Sequence, residues 1–316
     1  MSTVSQPFGF AYEGIRSFCR MPMCFELDKL EADVAVAGIC FDNANYSRCG
    51  SRYGPQAIRE ASMFMGVTYD PDKGFFDSEQ GKHVLGGVRI VDCGDLTVIP
   101  SLIEETFNLA KNSIKTIRSR GAIPVILGGE HTISIPVFWA LDDIEYHVVQ
   151  FDSHLDLMDD LGGIKLADAN PMKRAVEMDN VTGATQIGIR GYLNTEEMWE
   201  EARSNEKITT FTALDVHAKG ADYIASRIPE VENIYVTLDI DALDPTEAPG
   251  SGGPEPGGLT YMQMRTMLRA CAQKGKLVGM DLNEVNPVFD PMQKTANVAV
   301  RMILDLLAAA NLGTGA

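Results

Sequence analysis

The stretch YHVVQFDSHLD, residues 146–156, changes character halfway along. Its first half is rich in apolar and β-branched residues with almost no polar alternation, which reads as a strand buried on both faces. It then runs directly into Asp152, His154 and Asp156. On extended backbone the i, i+2, i+4 spacing would project three metal-ligand types to one side. Strands covered on both faces belong to a parallel sheet wrapped by helices. In such sheets, ligands bind beyond the carboxyl ends of the strands.

The rest of the chain repeats this unit. Residues 33–42, 123–129, 185–191, 233–241 and 276–285 read as further buried strands. IEETFNLAKNSIKTIRSRG (103–121) reads as an amphipathic helix stopped by Gly121, and 221–228, 260–275 and 295–310 also read as helices. Thr260 is the expected cap of its helix, and the methionines that follow it have the spacing of core packing. The expected fold class is α/β, a three-layer α/β/α architecture around a mainly parallel central sheet. No repeat or linker divides the chain. Residues 1–316 are expected to form one domain, with 1–32 as an N-terminal extension packed on it.

Composition narrows the function. The 316 residues are 45% hydrophobic with a formal net charge of −17. An acidic protein of this kind is a poor partner for nucleic acid or an anionic membrane, and is compatible with a cationic small molecule. The six cysteines (Cys19, Cys24, Cys40, Cys49, Cys93 and Cys271) form no CxxC pair and are expected to be buried, reduced thiols of a cytosolic protein. The N-terminus lacks the apolar segment of a signal peptide, and no run approaches a membrane span. The expected location is cytoplasmic.

Four strands end in His, Asp or Glu at what should be one sheet edge: GGEH, DSHLD, DID and NEVNP. Together they supply His131, Asp152, His154, Asp156, Asp239 and Asp241, with Glu130, Asp244 and Glu284 nearby. A single Asp or His at a strand end is ordinarily a cap or a solvated loop residue. The Asp-Pro in DIDALDP is also a turn signal, and GGEHT could be a turn before a helix capped by Thr132. Convergence of several such segments points instead to metal. Imidazole and carboxylate without thiolate suit Mn²⁺, Ni²⁺ or Zn²⁺. Four crowded carboxylates cannot all ionise without cations, and two divalent ions would balance them.

The motifs GGEHT (128–132), DSHLD (152–156), TLDIDALDP (237–245), APGSGGPEPGGL (248–259) and GMDLNEVNP (279–287) resemble those of the ureohydrolases, the arginase and agmatinase family, and lie nearer the agmatinase branch. SRCGSRYGPQAIR (47–59) and QIGIRG (186–191) are similar too. The resemblance implies two divalent ions, Mn²⁺ or Ni²⁺. One would sit on His131, Asp152, Asp156 and Asp239, the other on His154, Asp152, Asp239 and Asp241. Asp152 and Asp239 would bridge, and a metal-bridging hydroxide would attack the guanidinium carbon. Glu284 matches the family carboxylate that holds the guanidinium. Trimers or hexamers, homo- or hetero-oligomeric, are implied as well.

Two positions depart from the family pattern. ADANPMKRAVE (167–177) stands where family members carry a His-Gly-Thr-Pro-like segment, so Asp168 replaces the histidine and Asn170 lies beside it among the expected substrate contacts. Gly253 replaces a pocket threonine. An added carboxylate and added room suit a nitrogen-rich or bulkier substrate, and a biguanide such as metformin has both properties. The alternatives are an ordinary agmatine or ω-guanidino acid ureohydrolase, or a non-catalytic partner subunit of an active paralogue.

Overall fold

The computed structural model describes residues 9–46, 48–310 and 312, together with the backbone of Thr3–Val4. In chain order the strands and helices are β1 (Thr3–Val4), β2 (Met23–Cys24), β3 (Val34–Gly38), α1 (Gly54–Gly66), the hairpin β4 (Gly74–Asp77) and β5 (Lys82–Leu85), β6 (Ile90–Asp95), α2 (Ile103–Ser119), β7 (Ile123–Leu127), α3 (Ser134–Ala140), β8 (Tyr146–Phe151) and α4 (Pro171–Val176). There follow β9 (Val181–Ile189), α5 (Glu196–Ser204), β10 (Ile208–Thr212), α6 (Ala213–Lys219), α7 (Ala221–Arg227), β11 (Asn233–Asp239), α8 (Tyr261–Lys274), β12 (Lys276–Asn283) and α9 (Lys294–Ala309).

Ten strands form one sheet in the order β1-β2-β6-β3-β7-β12-β11-β8-β9-β10. Every pairing in it is parallel except β1 with β2. The strand pleat separates the core into two layers. Val34, Val36, Val125, Leu127, Val149 and Phe151 face one side, where α1, α8 and α9 cover them. Ala35, Ala37, Ile126, Tyr146 and Val148 face the other, against α2, α3 and α4. Three layers result, because each strand has an apolar residue for both sides. The helix at 260–275 begins where Thr260 caps it, with a capping box to Gln263, and Met264 and Met267 are buried as core.

Register brings the polar strand ends together. Leu127 pairs with Leu282, Asn283 with Asp239, and Leu238 with Phe151. β7, β12, β11 and β8 are consecutive in the sheet, so their carboxyl ends finish at one level.

The structure differs from the sequence reading at several points. β9 starts at Val181 rather than 185, and the hairpin β4–β5 was not anticipated; its Asp77 accepts a hydrogen bond from Arg265 of α8. The cysteines are not uniformly buried. Cys19, Cys24, Cys93 and Cys271 are, but Cys40 is half-buried and Cys49 exposed, and all six are free thiols. The segment 152–156 is not extended. β8 stops at Phe151, and Asp156 has a left-handed backbone with φ 53°. No helix among the described residues is long and apolar enough to cross a membrane.

Candidate metal centre

Each ligand-bearing loop is shaped by a local constraint. After β7 the chain turns through Gly128 and Gly129. A Cβ on Gly129 would lie 1.9 Å from the Phe41 carbonyl oxygen, so only glycine lets the two backbones meet. The turn delivers His131. After β8, the Asp152 carboxylate accepts the His154 N–H at 2.6 Å. After β11, Asp239 accepts the Asp241 N–H at 2.8 Å. In both loops an aspartate folds the chain onto its own second neighbour, an Asx turn, and the i, i+2 pair converges without strand geometry.

The six residues expected as ligands lie together. His131 Nδ1 is 3.0 Å from Asp152, 2.8 Å from Asp156 and 3.5 Å from Asp239. His154 Nδ1 is 3.5 Å from Asp152 and 3.2 Å from Asp241. His131, Asp152 and Asp239 form one group of convergent donor atoms; Asp152, His154 and Asp241 form a second. Asp152 is common to both, whereas Asp239 contributes to the first alone. Supporting bonds fix the carboxylates. Gln150 donates to Asp152 at 2.7 Å, and the Ser153 N–H donates to Asp241 at 3.0 Å. Gln186 donates to Gln150, extending the chain of amides into β9.

The electrostatics fit a site for cations. Burial, then Asp241 and Asp152, drives the Asp239 carboxyl far above its ordinary range. Burial and the charge of Asp152 push Asp156 up to about 6. Burial opposes protonation of both imidazoles, yet the surrounding aspartates raise His131 and His154 well above the usual histidine value. These are the marks of acids crowded without compensating charge. His131 Nδ1 and Glu284 Oε2 are buried with no hydrogen-bond partner. Two imidazole nitrogens and three carboxylates in two overlapping groups, with the Asp156 carboxylate beside His131, suit a pair of divalent ions.

The remaining expected residues divide. Glu284 faces the centre from the end of β12, on a left-handed backbone (φ 63°), with Oε1 held by the His131 N–H at 3.0 Å. Asp168 and Gly253 line the same pocket, a cavity of about 50 Å³. Burial and the charge of Asp156 push Asp168 up to about 7, and its Oδ1 has no partner. A Cβ on Gly253 would lie 3.3 Å from the His154 ring, so a side chain there narrows the pocket. Asn170 is a correction. Its amide accepts from the Ala167 N–H and donates to the Met158 carbonyl, and it does not line the pocket. Its polar atoms close the loop behind Asp168. Glu130 grips the Ala44 N–H, and Asp244 accepts from Thr246, Gly257 and Gly258; each shapes a loop.

Asn45, Tyr46 and Leu193 also line the pocket and were not singled out from sequence. Thr237 and Asp281, beneath His131, were likewise missed. The available signal was polarity inside buried strands, where an unpaired side chain is costly and must have a partner.

The arginase family's sequence pattern matches residues 32–309, and the chain belongs to that family. Human mitochondrial guanidino acid hydrolase is 31% identical over 94% of this chain and 83% of its own length. The Bacillus subtilis agmatinase is 31% identical over 88% of this chain and 91% of its own. Among solved structures, proclavaminate amidino hydrolase from Streptomyces clavuligerus superposes with a TM-score of 0.81 at 27% identity, covering 95% of this chain and 98% of that one. The chain is thus a hydrolase of the ureohydrolase type, acting on carbon–nitrogen bonds of linear amidines.

Proposed function

We propose that this chain hydrolyses a guanidine-type cation at a two-metal centre held by His131, Asp152, His154, Asp156, Asp239 and Asp241. The carrying observation is the overlap of two donor groups on Asp152, beside a pocket in which Glu284 and Asp168 each present an unpartnered oxygen. One ion would take His131, Asp152, Asp156 and Asp239, and the other His154, Asp152, Asp239 and Asp241. Bound there, Mn²⁺ or Ni²⁺ would supply Lewis acidity and bring the pKa of water toward neutrality. The protein's own groups orient the substrate. Glu284, pinned through Oε1, offers Oε2 to a guanidinium N–H, and Asp168 offers Oδ1 to another. Charge-assisted contacts of this kind hold a planar cation in one pose.

Charge also discriminates among substrates. No lysine or arginine is among the described residues lining the pocket. A carboxylate tail would find no cationic side chain among these residues, whereas a second positive charge needs none. Agmatine is therefore favoured over an ω-guanidino acid, with urea and an amine as products. The relatives named for agmatine and guanidino acid hydrolysis support this class. A second reading rests on Asp168 and on the room left at Gly253: a biguanide such as metformin, whose extra N–H groups match the extra acceptor. Efficient urea release from agmatine carries the first reading. Dimethylamine or urea from metformin, without activity on agmatine, carries the second. Elemental analysis of the isolated chain tests both against a silent partner subunit, for which two tightly held ions per chain are not expected. Light scattering on the chain alone and with a related subunit distinguishes a homo-oligomer from a mixed trimer or hexamer.

A further inference from the structure

We infer that Asp281 is a positioning residue for the metal centre: through the Thr237 hydroxyl it selects the His131 tautomer that leaves Nδ1 free to ligate. The inference rests on the metal reading above.

Asp281 lies in β12 and is completely buried. Its carboxylate accepts from the Tyr235 hydroxyl, the Asn283 amide, Ser134 Oγ at 3.0 Å and Thr237 Oγ1 at 2.7 Å. Thr237 has a single hydroxyl proton. A carboxylate can only accept, and a short bond to a charged acceptor is the strongest use of that proton. Ser134, 3.4 Å from Thr237, gives its own proton to Asp281 and does not compete. Toward His131 Nε2, at 2.9 Å, Thr237 is then left with lone pairs alone. Nε2 must carry the ring proton. An imidazole that ligates a cation is neutral and carries one such proton, so Nδ1 is the bare nitrogen. Nδ1 is the atom that faces Asp152, Asp156 and Asp239 without a hydrogen-bond partner. An amide in place of Asp281 could donate to Thr237. Thr237 would then turn its proton to Nε2 and place an N–H where a cation belongs.

The test is titration of Mn²⁺ into metal-stripped, full-length protein, followed by calorimetry and by electron paramagnetic resonance of the free ion. T237V keeps the side-chain shape and removes the hydroxyl; T237S restores it. T237V should weaken one of two sites about 10- to 100-fold, the range for lost second-sphere partners. T237S should recover to within a few-fold of wild type. D281N should lose at least as much as T237V, and the double variant no more than D281N, because Asp281 acts through Thr237. Circular dichroism in chelator establishes that each variant is folded; if D281N is not, the T237V and T237S pair decides. Wild-type affinity at both sites of T237V overturns the relay while leaving the metal reading intact. A T237S variant as weak as T237V also overturns it. Wild-type protein that takes up no Mn²⁺ overturns the metal reading and the relay with it.

Discussion

Asp168 and Glu284 approach the pocket with one oxygen unpartnered apiece, but they are held differently. Glu284 is tied to the backbone of His131, so its position is fixed with that candidate ligand. Asp168 comes from the loop before α4, is supported by the Tyr46 backbone and is outside the groups of convergent donor atoms. Asp168→Asn should therefore leave metal content unchanged and lower kcat/KM roughly 10- to 150-fold, the equivalent of about 1.5–3 kcal/mol for a lost charged hydrogen bond. Steady-state kinetics beside elemental analysis checks both halves. A second residue carries a pH dependence remote from the chemistry. Burial holds the His147 imidazole down at about 4, while Nε2 bonds Thr185 at 2.8 Å. The unfolded chain takes up that proton near 6.5 and the folded chain does not. Stability from this group is complete above pH 6.5 and is lost as pH falls toward 4, by on the order of 3 kcal/mol. Denaturation of His147→Gln, which cannot protonate, should show a shallower decline than wild type across that window.

At the level of elements, the strands set where loops begin and the loops set where ligands point. The Gly128–Gly129 turn is the tightest case, with Phe41 backbone against Gly129 and the Asn283 side chain 1.8 Å from a Cβ placed on Gly128. The Phe41 backbone cannot yield without moving the segment after β3. Gly129→Ala should destabilise by on the order of 3 kcal/mol or more and displace His131. A fall in denaturation midpoint together with loss of one metal ion per chain is the expected result; unchanged stability would show that the Phe41 backbone gives way. The cores of β3, β7, β8, β9, β11 and β12 were legible because buried parallel strands carry continuous apolar runs, whereas β2, β6 and β10 were not read from the sequence. The hairpin β4–β5 was not, since Gly74–Asp77 and Lys82–Leu85 are short and half-exposed and offer no such run. The 152–156 segment misled for a related reason: period-two spacing is shared by a strand and by a loop that opens on an Asx turn, and only the bond from the His154 N–H to the Asp152 carboxylate separates them.

Across the whole molecule, the candidate metal centre is the densest cluster of buried carboxylates at one sheet edge. Its carboxylates are buried between β7, β12, β11 and β8 with imidazoles as their nearest positive groups. Cations that bind the folded state alone stabilise it by mass action, about 2.7 kcal/mol at one hundred times the dissociation constant. For a chain of this size each kilocalorie moves the melting point by roughly 1.5 °C, and the contributions of two ions add. Adding Mn²⁺ to chelator-stripped protein should raise Tm by roughly 5–10 °C, and a calorimetric scan with no shift would mean that the acids are neutralised by their own protons.

The amino-acid sequence by itself determined the layered α/β class, the four strands that run into polar residues and the six donor types, because burial and ligand chemistry are written in residue identity. It placed Asp168 and Gly253 in the pocket as well. Only the tertiary structure decided which atoms meet. Asn170 turned to the backbone, Glu130 to Ala44, and Asp281 and Thr237 to the far side of His131, because a side chain's partner depends on neighbours that are distant along the chain and adjacent only once the sheet is in register.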